Sequence, residues 1–336
     1  MSSIDPRIAS AKVFLQNSLG SEFHIDALPQ DASFRRYFRI TQSSKSYILM
    51  DAPPEHENLE AFIKVDQHLL SLEIDVPLIM QRDDKNGFLL LEDFGDSTFT
   101  RLLNAGEDEK LLYKTAIDTL IKLHRHPSSL SVSVPHYSSE ELLREALLLV
   151  DWHYQLIYGE PPTDILRQRY VDIWMSLIHQ MPEPAPSLVL RDFHVDNLMR
   201  ISRHGNNYCA LLDFQDALIG PMAYDLMSLI QDARRDLGAG LPQYLIEYYF
   251  SNLPLLDQDN FLSWYDFLAA QRHCKVIGIF SRLWLRDGKD QYLQHIPRVI
   301  QLLQDAFKNP QLRILQKFMD EEFPDRLSFD PKSKIL

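Results

Sequence analysis

SLVLRDFHVDNLM (residues 187–199) and CALLDFQDALIGPMAYDL (residues 209–226) hold four acids or amides at fixed intervals: Asp192, Asn197, Asp213 and Asp225. Leu188-Val189-Leu190 runs into Arg191-Asp192, and Cys209 to Leu212 runs into Asp213-Phe214-Gln215. An apolar β-segment that ends in an acid holds a carboxylate rigidly at the mouth of a site. Phosphoryl transfer needs such a set in this order. One Asp takes the acceptor hydroxyl's proton, an Asn five residues on binds metal, and an Asp on the next hairpin binds metal between the phosphates. A lone pair of such residues is commonplace and would suit two buried turns capped by acids. Order, spacing, apolar lead-ins and a helix start near Tyr224 together carry the catalytic reading.

Composition narrows the rest. The chain has 336 residues, 45% hydrophobic and 24% charged, enough for one large domain or two lobes with separate cores. With 34 Lys and Arg against 47 Asp and Glu, its net charge of −13 argues against nucleic-acid or anionic-membrane partners. Cys209 and Cys274 follow no metal spacing and read as reduced core thiols. No apolar run approaches membrane-spanning length and no basic-then-apolar signal opens the sequence, so a cytoplasmic location is expected.

Asp5-Pro6 reads as a helix cap and first helical position, and Gly20 as the stop. Strands are expected over 23–28, 36–41 and 46–50, then a helix over 57–72 and two more strands over 76–80 and 87–91. Beyond Gly95 the pattern turns helical: 107–124, a capping box at Ser138 to Glu141, then 164–181, 224–237, 241–250, 261–284, 292–307 and 311–322. The expected architecture is α+β: an N-terminal antiparallel β-lobe (residues 1–95, a hinge at its end) and a larger helical lobe (residues 96–336).

Asp31 to Arg39 (DASFRRYFR), Met50 to Pro54, Gly87 to Gly95 (GFLLLEDFG), Arg191 to Met199, Asp213 to Leu226 and Gln271 to Arg286 carry a resemblance. Together they resemble the aminoglycoside/choline-type small-molecule kinases, which share the protein-kinase-like two-lobe fold. Within that family they are most similar to the bacterial anomeric kinases of N-acetylmuramate and N-acetylglucosamine, which act in cell-wall recycling. The resemblance implies ATP and Mg²⁺ as cofactors and a small amino sugar as substrate. It makes Asp192 the base, Asn197 and Asp213 the metal ligands, and Glu92 to Phe94 the segment whose backbone reads adenine.

Two departures stand out. Residues 21–50 contain no glycine, so the usual Gly-rich phosphate cover is replaced by Gln30 to Ser33, with the Ser33 hydroxyl as a candidate donor. The strand that should carry a phosphate-orienting Lys ends in Met50-Asp51. Arg36 and Arg39 are the expected substitutes, with Arg35 and Lys45 behind them, since a planar guanidinium binds two phosphate oxygens. Asp66 falls on the apolar stripe of its helix, where an unpaired carboxylate is costly, and is expected to face a cation; Glu57 and Glu60 are alternatives. Leu190 stands where the family usually has His. Asp225 reads as structural, tying the catalytic loop to a helix start. His194, Asp216 and Arg234 are candidate sugar contacts, with ordinary roles as loop polar residues or a solvated helix face beside that. The alternatives to an anomeric sugar kinase are a kinase for another small alcohol, or a silent nucleotide-binding protein favoured by the missing glycines and Lys.

Overall fold

The computed structural model describes residues 5–29 and 34–334, and its contacts divide the chain into two compact units. One comprises Met1–Asp108 with Asp196–Asp216; the other comprises Glu109–Val195 with Ala217–Leu336.

The first unit opens with α1 (Pro6–Leu19), started by the Asp5 side chain on the Arg7 N–H and ended at Gly20, whose φ of 88° an L side chain resists. Strands β1 (His24–Ala27), β2 (Arg36–Gln42) and β3 (Lys45–Asp51) follow. Then come α2 (Leu59–Ser71, capped by Asn58), β4 (Ile79–Asp83), β5 (Phe88–Glu92) and a short α3 (Phe99–Asn104). The five strands form one antiparallel sheet in the order β1-β2-β3-β5-β4. Strand side chains alternate between faces. Phe38, Ile40, Leu49, Phe88 and Leu90 therefore point to the face covered by Ala11, Phe14 and Leu15 of α1. Phe14 stacks on Phe88 with ring centres 5.9 Å apart.

The second unit begins with α4 (Glu109–Arg125) and α5 (Ser139–Ala146), the latter capped by the Ser138 hydroxyl as its box predicts. A single wide turn over Leu149–His153 leads into α6 (Tyr154–Tyr158), followed by α7 (Asp164–Gln180) and β6 (Pro186–Val189). The chain then contributes the hairpin β7 (Leu198–Arg203) and β8 (Asn206–Leu211) to the first unit. It returns through β9 (Leu218–Pro221), which pairs with β6, and α8 (Ala223–Ile230). Helices α9 (Leu241–Asn252), α10 (Gln258–Asp287), α11 (Ile296–Ala306) and α12 (Arg313–Glu322) complete it. Helix α10 is the spine, with 18 buried residues. At Gly278 an added Cβ would lie 2.2 Å from the Leu148 carbonyl carbon, so only glycine lets α10 come this close.

Two expectations differ from what is seen. The boundary expected after Gly95 does not describe the unit division, because backbone bonds hold α3's neighbourhood and the hairpin together. Arg200 N–H donates to the Ser97 carbonyl at 2.8 Å, and Leu211 N–H to the Asp75 carbonyl at 2.8 Å. The helix expected over 224–237 stops at Ile230, and Arg234 lies in a loop where its N–H donates to the Asp232 carboxylate at 2.8 Å. That side-chain bond offers the backbone an alternative to the helix. Both cysteines are buried free thiols. Among the described residues no helix is long and apolar enough to cross a membrane.

Candidate active site

The hairpin in the first unit is what places Asn197 and Asp213. Leu198 pairs with Leu211 across it, and Leu212 N–H donates to the Asn197 carbonyl at 2.9 Å, so the two residues lie at its open end. Asp213 has φ 58°, uncommon for a residue with a side chain and typical of strain held at functional loops. Gln215 Nε2 donates to its Oδ1 at 3.0 Å, and Phe214 stacks on Phe62 of α2 with ring centres 5.0 Å apart. The donor set fits Mg²⁺: an amide oxygen and a carboxylate suit a hard cation that keeps waters and borrows phosphate oxygens. Among the described residues there is no group of three or more His, Cys, Asp or Glu placed to hold a metal ion.

Arg35 lies against this corner. Its guanidinium is 3.1 Å from Asp213 Oδ1 and 3.4 Å from Glu57 Oε2, and the residue is only 9% exposed. Burial opposes its charge, but Tyr37, Asp213 and Glu57 more than offset that and hold its pKa above the ordinary value. The neighbouring Tyr37 hydroxyl is pushed up to about 12, mainly by burial, with Asp213 and Glu57 adding to the rise.

The other β2 arginines are engaged elsewhere. Arg36 binds Asp51 through Nε at 3.0 Å and Nη2 at 2.6 Å, and also pairs with Asp5. Arg39 binds Asp93 at 2.7 Å, Asp96 at 3.1 Å and the Gly95 carbonyl at 3.0 Å. Asp66 is buried as its position on the stripe predicts, but none of the described cations pairs with it, and burial raises its pKa to about 7. Of Glu57, Glu60 and Asp66, it is Glu57, just before the Asn58 cap, that pairs with a described cation, Arg35 at 3.4 Å. Glu92 N–H donates to the Leu78 carbonyl at 2.9 Å, while Phe94 packs with Met199, Ile201, Ala210 and Leu212. Asp216 is exposed beside Gln215. Ser33 lies outside the described residues.

In the second unit the Asp192 loop is built from its backbone. Asp225 accepts the N–H groups of Leu190 at 2.7 Å and Arg191 at 3.0 Å, the structural role read from its position at the start of α8. Burial raises the Asp225 pKa to about 7 in spite of those two donors. Arg191 has φ 69° and pairs with buried Glu145. Glu145 also receives Lys275 Nζ at 2.6 Å, Gln271 Nε2 at 3.1 Å and the Tyr137 hydroxyl. Burial pushes the Glu145 pKa up, but Lys275 and Arg191 outweigh it and bring it down to about 2. His194 N–H donates to the Asp192 carbonyl at 3.1 Å, and its side chain is buried. Arg234 lies over the Phe280 ring, 5.9 Å from its centre.

Arg35's position, Tyr37 and the Glu145–Lys275 pair were not singled out from sequence. The signal for the pair was partial: Glu145 sits beside Leu142 and Ala146 on α5, whereas Lys275 shares its stretch of α10 with the buried polar residues Gln271, Arg272 and His273.

A model of the phosphotransferase enzyme family matches residues 24–270. A Pseudomonas putida protein named N-acetylmuramate/N-acetylglucosamine kinase is 33% identical, over 94% of this chain and 97% of its own length. Proteins of the same name from Pseudomonas aeruginosa and Neisseria meningitidis are 35% and 36% identical, over 86% and 84% of this chain and 86% and 85% of their own lengths. Among solved structures, choline kinase LicA from Streptococcus pneumoniae superposes with a TM-score of 0.63 at 12% identity, covering 90% of this chain and 100% of that one. The gentamicin complex of the aminoglycoside phosphotransferase APH(2'')-IIa does so with a TM-score of 0.61 at 14% identity, covering 90% and 99%. At these identities the likeness establishes the fold, and it is the α+β kinase-like fold expected from the sequence.

Proposed function

The chain belongs to the phosphotransferase enzyme family, and we propose that it is an ATP-dependent kinase phosphorylating the anomeric (C1) hydroxyl of N-acetylmuramate and/or N-acetylglucosamine, as in peptidoglycan recycling. The observation that carries this reading is identity of 30–36% to four kinases of that name over most of this chain, with Asp192, Asn197 and Asp213 all present. In this reading Asp192 aligns the acceptor hydroxyl and takes its proton as that oxygen bonds to the γ-phosphorus and ADP departs. Asn197 and Asp213 would hold Mg²⁺, which when bound neutralises charge developing on the phosphates. Glu92 to Phe94 would present backbone groups to adenine, with Ser33 a phosphate contact. His194 and Arg234 are the proposed partners of the acid group that N-acetylmuramate carries, and Asp216 of a sugar hydroxyl. The anomeric hydroxyl is more acidic than an ordinary alcohol, so a carboxylate base suffices there.

The test is ADP formation by the full chain with Mg²⁺ and ATP over N-acetylmuramate, N-acetylglucosamine, aminoglycosides and choline. Phosphorus NMR should show coupling of the product phosphate to the anomeric proton, and the methyl glycosides should not react. Phosphate on C6, or turnover confined to aminoglycosides or choline, overturns the assignment.

A further inference from the structure

Protein kinases orient the nucleotide's phosphates with a lysine on the third strand, paired to an acid of the following helix. Here β3 ends in Met50 and Asp51, and Asp51 is completely buried between Arg7 and Arg36. The end of that strand therefore carries the opposite charge, held by a structural ion-pair cluster. A different cation has to meet the phosphates.

The cations of β2 and its borders differ in what they hold. Arg36 is committed to Asp51 and Asp5, a cluster that fastens the start of α1 to the sheet. Arg39 clamps Asp93, the Gly95 carbonyl and Asp96, the segment that follows β5. Lys45 is exposed at the far end of the β2–β3 turn. Arg35 alone of the four contacts a proposed metal ligand, Asp213, at 3.1 Å. Oxygens that share an octahedral Mg²⁺ at 2.0–2.1 Å lie about 3 Å apart. A phosphate oxygen beside Asp213 on such an ion would thus lie no more than about 6 Å from this guanidinium, a gap that a long arginine side chain can close. Glu57 steadies the guanidinium through Nε at 3.4 Å, from the chain entering α2.

We infer that Arg35, seated between Glu57 and Asp213, is the residue that orients the nucleotide's terminal phosphates, a role moved from β3 to the entrance of β2. The inference rests on the phosphotransferase reading of this unit, not on the identity of the acceptor. Glu57 is its positioning residue. A guanidinium in this place offers a bidentate grip that a lysine ammonium lacks, so lysine is an incomplete replacement.

Nucleotide binding by the full-length chain tests it, measured calorimetrically with ATP and with adenosine in the presence of Mg²⁺, beside melting curves. Arg35→Ala should weaken ATP by about tenfold to a hundredfold, the range of one charge-assisted contact, and leave adenosine affinity unchanged. Arg35→Lys should recover part of the loss, and the neutral Arg35→Gln decides the matter if the alanine variant does not fold. Arg82→Ala, an equal charge change on an exposed strand residue, controls for net charge and should bind ATP like the wild type. Unaltered ATP affinity in Arg35→Ala, or in Arg35→Gln where the alanine variant does not fold, overturns the assignment. So does a parallel loss of ATP and adenosine, or a larger phosphate-dependent loss in Arg36→Ala. A wild-type chain that binds Mg·ATP but phosphorylates neither amino sugar would refute the proposed acceptor and leave this binding result to decide Arg35.

Discussion

Glu145→Gln is the perturbation whose size the structure defines best. The carboxylate is 2% exposed and faces two cations, Lys275 at 2.6 Å and Arg191, with Gln271 and Tyr137 completing its hydrogen bonds. Burial alone would lift its pKa, yet Lys275 and Arg191 bring it from an ordinary 4.5 down to about 2. At about 1.4 kcal/mol per pH unit, that displacement makes the charged form worth about 3 kcal/mol to the fold. Removing one partner of a buried ion pair costs about 3–5 kcal/mol by an independent route, because the charges left behind stay buried. Glutamine keeps the shape and one acceptor, so about 3 kcal/mol is the expected loss, or roughly 6–12 °C in melting temperature for a unit of this size. The sign with pH is defined too. A depressed acid stabilises above its unfolded pKa, so the gap between variant and wild type should be full above about pH 4.5 and shrink as pH falls toward 2. Lys275→Met added to Glu145→Gln should recover part of the loss by removing one stranded charge. Arg191 precedes Asp192, so kcat should fall while ATP affinity holds. Melting within about 2 °C of wild type at pH 7 would refute the reasoning and mean that Glu145 is neutral or solvated.

Other changes separate the proposed roles. Asp192→Asn should abolish turnover and leave ATP binding within about threefold of wild type by calorimetry, since it removes a base and no phosphate contact; near-wild-type kcat would contradict the base assignment. Asp213→Ala should weaken Mg·ATP by about tenfold or more while metal-free nucleotide binds equally well, because a metal ligand is lost. Asp225 holds its proton up to about pH 7 when folded, against an ordinary 3.8, so its contribution is whole below pH 3.8 and lost as pH rises through 7. Asp225→Asn cannot titrate, and its stability deficit in urea unfolding should therefore be about 2–3 kcal/mol smaller at pH 8 than at pH 5; parallel pH curves would count against a buried, proton-holding Asp225.

Much of the scaffold was legible because the signals are local. Asp5-Pro6 and Gly20 bound α1, and Ser138 caps α5, because caps and turns depend on a few adjacent residues. The candidate acids could be picked out for a related reason: apolar strands lead into Asp192 and Asp213, and the rising hydrophobicity marks where each emerges. The partition of the chain was not. The hairpin carrying Asn197 and Asp213 belongs with the sheet-containing unit through bonds to Asp75 and Ser97, more than one hundred residues earlier, and no local pattern announces such a partner.

The arginines of β2 show the limit most clearly. Alternation along a strand predicts which side chains share a face, not which acid awaits them. Arg36 met Asp51 through the register of β2 with β3, and Arg35 met Asp213 through a hairpin far along the chain. Asp66 and Glu145 make the same point with one signal and two outcomes. Each is an acid on an apolar helix face, and each is buried as that placement requires. Glu145 finds Lys275 and Arg191 and ionises strongly; Asp66 finds no described cation and is pushed toward neutrality. Burial is a property of one helix and can be read from its period. Pairing is a property of two elements, so a buried acid read from sequence marks a place to look for a cation without establishing that one is there.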